Sequence, residues 1–192
     1  MESKRYVIIP LRHDELKGNV YRIGCFKTIG SLVNFSGLTI GKDRITEYSY
    51  AKHSATLPEN AVEVSNDVVE YVHDNLKHIY CTVKGLINFA GEDKDSKCYI
   101  MQNQNGIYLI NNNPESDWNN YELIKGSVVS ILEPNAISLT AANEQLEKVY
   151  ISEFLFYEIM DYIQKSMSLL CQFMQVVLNE KEPPLAGDSE SQ

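Results

Sequence analysis

The chain has no excess of basic residues. Its 192 residues include 17 Lys and Arg against 26 Asp and Glu, which gives a formal net charge of -9 and a pI near 4.9. Nonspecific affinity for nucleic acids comes mainly from Lys and Arg that displace counterions. This charge balance therefore excludes a protein that grips a polyanion over its whole surface, and any contact with nucleic acid is expected to be local or shared with a partner.

Cysteine is scarce and scattered. Cys25, Cys81, Cys98 and Cys171 form no C-x-x-C pair and have no neighbouring pair of histidines. This spacing suggests neither a zinc site nor a disulfide framework. We therefore predict reduced thiols in an intracellular protein that holds no metal and no cofactor.

Long apolar runs are also missing. A membrane-spanning helix needs about 20 apolar residues, whereas the apolar run that follows Lys4 and Arg5 covers only residues 6–10. We therefore predict neither a membrane span nor a signal peptide.

The sequence contains none of the motifs that mark common catalytic or nucleotide-binding sites: G-x-S-x-G, H-E-x-x-H, G-x-x-x-x-G-K-[ST] and G-x-G-x-x-G are all absent. Carboxylates cluster at 13–15 and 91–95, but charged loop residues of this kind are usually just solvated. The expectation is a protein that is not an enzyme.

What the chain does contain first is β-type sequence. Residues 6–50 carry short runs rich in Val, Ile and Tyr, separated by glycines, as is typical of strands joined by turns. A short amphipathic helix is predicted over 65–78, capped by Ser65 or Asn66. From 78 to 91 the β-type composition returns, and Gly85 is interpreted as a bulge or bend in one long strand.

Further strands are predicted up to residue 151. Asn105 and Gly106 form the strongest two-residue signal for a hairpin. Five strands with a bent first strand and a connector between the third and fourth are typical of a small Greek-key barrel of the OB type. The segments CFKTIGSLVNFSG (25–37) and CTVKGLINFAG (81–91) also resemble each other, either as a duplicated strand motif or by coincidence.

The C-terminal segment has the clearest periodicity, with Ser152 as a helix cap and neither Gly nor Pro from Glu153 to Leu178. The first apolar stripe is Phe156, Met160, Ile163, Met167, Leu170, Met174 and Val177, and the second is Leu155, Ile159, Tyr162, Leu169, Phe173 and Val176. About 26 helical residues span about 39 Å, more than one side of a small barrel. We therefore predict that the first stripe binds a partner helix; the alternative is that the N-terminal β segment covers the second stripe.

Residues 65–178 resemble a known family in their order of elements and in the runs IKGSVVSILEPNAISL and LEKVYISEFLFYEIMDYIQKSM. They are similar to the OB fold and C-terminal helix of the middle subunit of replication protein A and of the Stn-type subunit of the telomere-capping CST complex. The resemblance implies a nuclear, or else cytoplasmic, subunit whose final helix packs against another OB-fold subunit. It also implies a complex that binds or protects single-stranded or telomeric DNA.

The predicted fold is thus mainly β with a C-terminal α-helix. Its parts are a β-rich N-terminal extension (1–64), an OB-like barrel (65–151), a partner-binding helix (152–179) and a disordered acidic tail (180–192).

Single-strand binding requires aromatic platforms and cations. The candidate residues are Lys84, Phe89, Lys97, Tyr99, Tyr108 and Lys125. The family's second aromatic, at the end of the fourth strand, is replaced here by the aliphatic run SILEPN. Because stacking is worth about 1 to 3 kcal/mol per base, only slight DNA contact is expected. The alternative function is a protein-only adaptor with no nucleic-acid contact.

Overall fold

An open antiparallel sheet forms the N-terminal third of the chain. The computed structural model describes residues 2–14, 18–42, 44–102, 107–111, 120–122 and 147–181. The first sheet contains β1 (Glu2–Asp14), β2 (Gly18–Ile29), β3 (Leu32–Gly41), β4 (Arg44–His53) and β5 (Val62–Val64), in the order β4-β3-β2-β1-β5. The β-strands predicted over 6–50 are confirmed. Four of them form a meander, and β5 returns to the free side of β1.

Two glycines allow β2 and β3 to approach each other closely. Gly24 pairs directly with Gly37 in the antiparallel register. A Cβ added to Gly24 would lie 2.4 Å from the carbonyl oxygen of Ser36 and 2.9 Å from the ring of Phe35. Because real Cβ atoms do not come so close, the pairing of β2 with β3 requires glycine at position 24.

Helix α1 (Asn66–Ala90) follows β5. Its N-cap residue is Ser65, one of the two residues predicted for this position, although the Ser65 side chain makes no capping hydrogen bond. The strand predicted over 78–91 is wrong, because the helix continues through Gly85 to Ala90. Its buried residues recur at helical spacing from end to end: Val69, Val72, Leu76, Ile79, Val83 and Ile87.

A second antiparallel sheet contains β6 (Cys98–Gln102), β7 (Ile107–Asn111), β8 (Asn120–Glu122) and β9 (Glu147–Ile151), in the order β8-β7-β6-β9. The pairing of β6 with β7 confirms the two strands of the predicted hairpin. Its turn at Asn105 and Gly106, and the strands predicted between 123 and 146, lie outside the described residues. The OB-like barrel predicted for 65–151 is not confirmed, since the described part is a helix followed by an open sheet.

The C-terminal helix is confirmed as α2 (Glu153–Lys181). The hydroxyl oxygen of Ser152 accepts the Leu155 N–H at 3.1 Å, so Ser152 caps the helix as predicted. The tail predicted over 180–192 lies outside the described residues from 182 onward. Neither α1 nor α2, the two helices that the structure describes, is long and apolar enough to cross a membrane.

The main core joins both sheets and both helices. Ile8, Ile23 and Leu38 of the first sheet share one buried cluster with Leu76 of α1 and Ile100 of β6, and α2 runs through it. A polar contact supports this packing, since the Tyr21 hydroxyl donates to Gln175 Oε1 at 2.5 Å.

A smaller cluster lies on the other face of the first sheet. Val7, Ile9, Phe26, Val33 and Phe35 form it, and Ala55, Leu57 and Ala61 pack against it. The connection between β4 and β5 therefore covers part of this outer face.

The two similar segments noted in the sequence adopt different structures. Residues 25–37 lie in β2, its turn and β3, whereas residues 81–91 lie in α1 and its C-cap. Their similarity is therefore not a structural repeat.

Candidate interaction surface

The first apolar stripe of α2 is not available to a partner. All seven residues predicted to bind one are buried inside the chain: Phe156, Met160, Ile163, Met167, Leu170, Met174 and Val177. The prediction that they form the partner surface is wrong. The first sheet, α1 and β6 cover this stripe, which a local reading of the helix could not show.

The second stripe is covered only in part. Leu155 and Ile159 are buried, and Tyr162 and Phe173 are partly buried. Leu169 and Val176 remain 66% and 53% exposed. These two residues are seven positions apart, which corresponds to about 10 Å along one side of a helix. The C-terminal half of α2 thus keeps an apolar edge in solvent.

A groove runs between α1 and α2 beside this edge. Tyr71 of α1 is 48% exposed, and its ring centroid lies 4.2 Å from that of Phe173. The α1–α2 groove has a volume of about 400 Å³ and is lined by Tyr71, Asn75, His78, Ile79, Tyr162, Ser166, Leu169, Leu170, Gln172, Phe173 and Val176. None of the described lining residues is Lys, Arg, Asp or Glu. The groove therefore presents mainly apolar and uncharged amide and hydroxyl groups, together with the His78 imidazole.

The predicted nucleic-acid residues that the structure describes lie on different elements. Lys84 lies on α1 with its Nζ 5.6 Å from the ring centroid of Tyr80, and Phe89 on the same helix is 94% exposed. Lys97 precedes β6 and Tyr99 lies on it, while Tyr108 belongs to β7, paired in register with Met101. Lys125 lies outside the described residues. The helical structure of 78–90 is what separates Lys84 and Phe89 from the strand surface on which they were expected.

One small aromatic and cationic cluster surrounds Tyr99. Its ring centroid lies 5.6 Å from that of Tyr150, and Lys148 Nζ is 4.1 Å from the Tyr99 centroid and 5.0 Å from that of Tyr150. A hydrogen bond with the Tyr150 side chain raises the pKa of Lys148. Sequence reasoning missed Lys148 and Tyr150, although their spacing of two residues in a predicted strand places them on one face.

The buried thiols favour their neutral form. All four cysteines are free, and burial raises the pKa of Cys25 and Cys98. A reactive cysteine needs a lowered pKa, so these two thiols have the chemistry of core residues.

Comparison of the chain with models of protein families, with curated proteins and with solved structures gave no match.

Proposed function

We propose that this chain is a non-catalytic subunit of a multi-protein complex and that its α1–α2 groove binds an amphipathic helix of another subunit. The observation that carries the proposal is the exposure of Leu169, Val176 and Tyr71 along one groove between two helices. Contiguous exposed apolar surface on a soluble protein commonly marks an interaction site.

The chemistry of the groove favours a helix with a neutral apolar face. An amphipathic helix places apolar side chains at positions i, i+3, i+4 and i+7 into such a groove, and Leu169 and Val176 have the matching seven-residue spacing. A lysine or arginine side chain would lose hydration here without finding a carboxylate among the described lining residues. Ser166 and Gln172 remain as neutral hydrogen-bonding groups at the groove.

The binding free energy available from the exposed apolar residues of the groove determines how much the partner must contribute. Burying a large apolar side chain from full exposure contributes about 1.5 to 3 kcal/mol. Since Tyr71, Leu169 and Val176 are each about half exposed, their complete burial would contribute about 3 kcal/mol together. Micromolar affinity needs about 8 kcal/mol. The partner helix must therefore supply contacts of its own across the full groove.

The test compares two exposed apolar positions on the same helix. A photo-crosslinking residue placed at position 169 should join the chain to a helical, amphipathic segment of one subunit of the native complex. The same probe at Phe154, which is 74% exposed and does not line the groove, should not. Leu169→Glu should release that subunit from the purified complex, whereas Phe154→Glu should retain it.

The proposal fails if Leu169→Glu leaves the composition of the complex unchanged and crosslinks from position 169 match those from position 154. If crosslinks at 169 join only two copies of this chain, the groove binds a second copy of the chain and not another subunit.

A second candidate is contact with single-stranded nucleic acid at Tyr99, Lys148 and Tyr150. Aromatic rings beside a lysine are the groups that such binding uses, and this role agrees with the one that the family resemblance implies for a nuclear complex. The fluorescence anisotropy of a labelled oligothymidine in about 50 mM salt measures this binding. Lys148→Glu should abolish binding, and Lys77→Glu, at an exposed lysine of α1, is the matched control.

A further inference from the structure

Strand β4 forms a long open edge of the first sheet. It pairs with β3 over all ten residues, from Arg44 to His53, without a register shift, and it ends the strand order. No described residue pairs with its other side. A regular edge of this length offers a row of backbone groups to another strand.

The other edges of the described strands differ from β4. On the opposite side of the first sheet, β5 pairs with only Tyr6–Ile8 of β1, and the rest of β1 is interrupted by a proline and a register shift at Pro10–Arg12. Strand β8 has three residues. On β9, the Asp93 N–H donates to the Tyr150 carbonyl oxygen at 2.9 Å, so the loop before β6 occupies part of that edge. Short or covered edges resist pairing with other chains.

The alternation of the ladder shows which backbone groups are free. The Ser54 N–H donates to the Ser31 carbonyl oxygen at 2.8 Å, so these two residues form a hydrogen-bonded pair that continues the β3–β4 register. Because hydrogen-bonded and non-hydrogen-bonded pairs alternate in antiparallel sheets, the N–H groups of Ser49 and Ala51 point away from β3. Those of Tyr50 and Lys52 point toward it.

The side chains along this edge favour an acidic partner. Arg22, on β2, reaches β4 with its guanidinium carbon 3.5 Å from the Tyr48 ring centroid, while its Nε donates to Thr39 Oγ1 at 3.3 Å. Lys52 Nζ of β4 is 5.3 Å from the Tyr50 ring centroid. Arg22 and Lys52 therefore place two positive charges beside this edge, in a chain of net charge -9. On the other face of β4, Ser49 and Ala51 are small and exposed, which leaves room for larger side chains.

We propose that the β4 edge binds an extended acidic segment of a partner protein, which adds to the sheet as a sixth strand. Backbone hydrogen bonds would supply affinity, while alternate acidic side chains meet Arg22 and Lys52 and alternate apolar side chains lie over Ser49 and Ala51. A second copy of this chain fits less well, because pairing two β4 strands would bring their cations together. This surface is separate from the α1–α2 groove and does not depend on it.

The probe is a fluorescein-labelled peptide of five Glu-Val repeats, with five Lys-Val repeats as its charge control. The acidic peptide should bind the full chain and the basic one should not. Ala51→Pro removes an outward N–H at an edge position that tolerates proline, and it should weaken binding at least tenfold. Ala51→Ser is the matched control and should bind like the parent chain.

Circular dichroism shows whether Ala51→Pro remains folded. If it does not, Lys52→Glu tests the charge contribution instead and should weaken binding of the acidic peptide at least tenfold. Equal binding of both peptides, no binding at millimolar concentration, or full binding by the folded proline variant would overturn the proposal. Binding of oligothymidine that Lys52→Glu abolishes and Ala51→Pro preserves would assign this face to nucleic acid instead.

Discussion

Gly85 provides a direct test of the structure of residues 78–90. It is the twentieth of the 25 residues of α1, it is exposed, and no atom other than the neighbouring residues and backbone of its own helix lies within 4 Å of the position that a Cβ would take. Alanine would therefore add no clash. Glycine in a helix interior is less favourable than alanine by about 1 kcal/mol. Gly85→Ala should accordingly raise the free energy of unfolding by about 1 kcal/mol, which for a chain of this size raises the melting temperature by about 2 to 4 °C.

Urea unfolding of Gly85→Ala and Gly85→Val measures the free energy of unfolding of each variant. The order of the two values distinguishes a helix from a strand. In a helix, alanine stabilises more than valine, because the β-branched side chain loses rotamer freedom. In a strand the order reverses. Gly24→Ala is the control and should destabilise the protein, since its Cβ would meet the Ser36 carbonyl oxygen. A larger gain from valine than from alanine would refute the helix and restore the predicted strand.

Three further predictions concern the core, the cap of α2 and pH. Met167 is 1% exposed, so Met167→Glu should cost at least about 4 kcal/mol and unfold the chain, as circular dichroism would show; a folded variant would contradict the intramolecular packing of α2. Ser152→Ala should cost about 1 kcal/mol in urea unfolding because the Leu155 N–H loses its acceptor, whereas an unchanged midpoint would discount the cap. Burial raises the pKa of Cys25 and Cys98 above the ordinary 9.0, so folding favours the neutral thiols, and their stabilisation should persist below about pH 9 and decline above it. The loss of stability between about pH 8 and about pH 10 should be smaller when both are alanine, and an equal loss would exclude them as its source.

Strong local signals in the sequence predicted several elements correctly. The α2 prediction depended on an uninterrupted apolar periodicity and on Ser152, and both lie within the helix itself. The strands of 6–50 and the β6–β7 pair also followed from local composition. Such elements are predictable because neighbouring residues supply their defining interactions.

The strand predicted over 78–91 failed because two local signals conflicted. Ile79, Val83 and Ile87 continue the helical spacing of the preceding buried residues, while the β-branched and aromatic composition favours a strand. The helix forms because the residues at helical spacing along one side of the whole segment are buried in the core. The same error placed Lys84 and Phe89 on a strand, whereas both lie on α1.

The apolar periodicity of α2 was enough to predict a helix with two adjacent apolar stripes. Which stripe lies in the core and which at the surface depends on how the helix packs against the rest of the fold. The first sheet, α1 and β6 cover the first stripe and part of the second, and leave Leu169 and Val176 exposed. Periodicity shows where apolar side chains lie around a helix. The elements that remove those side chains from water are distant in sequence, so the sequence of the helix alone does not identify them.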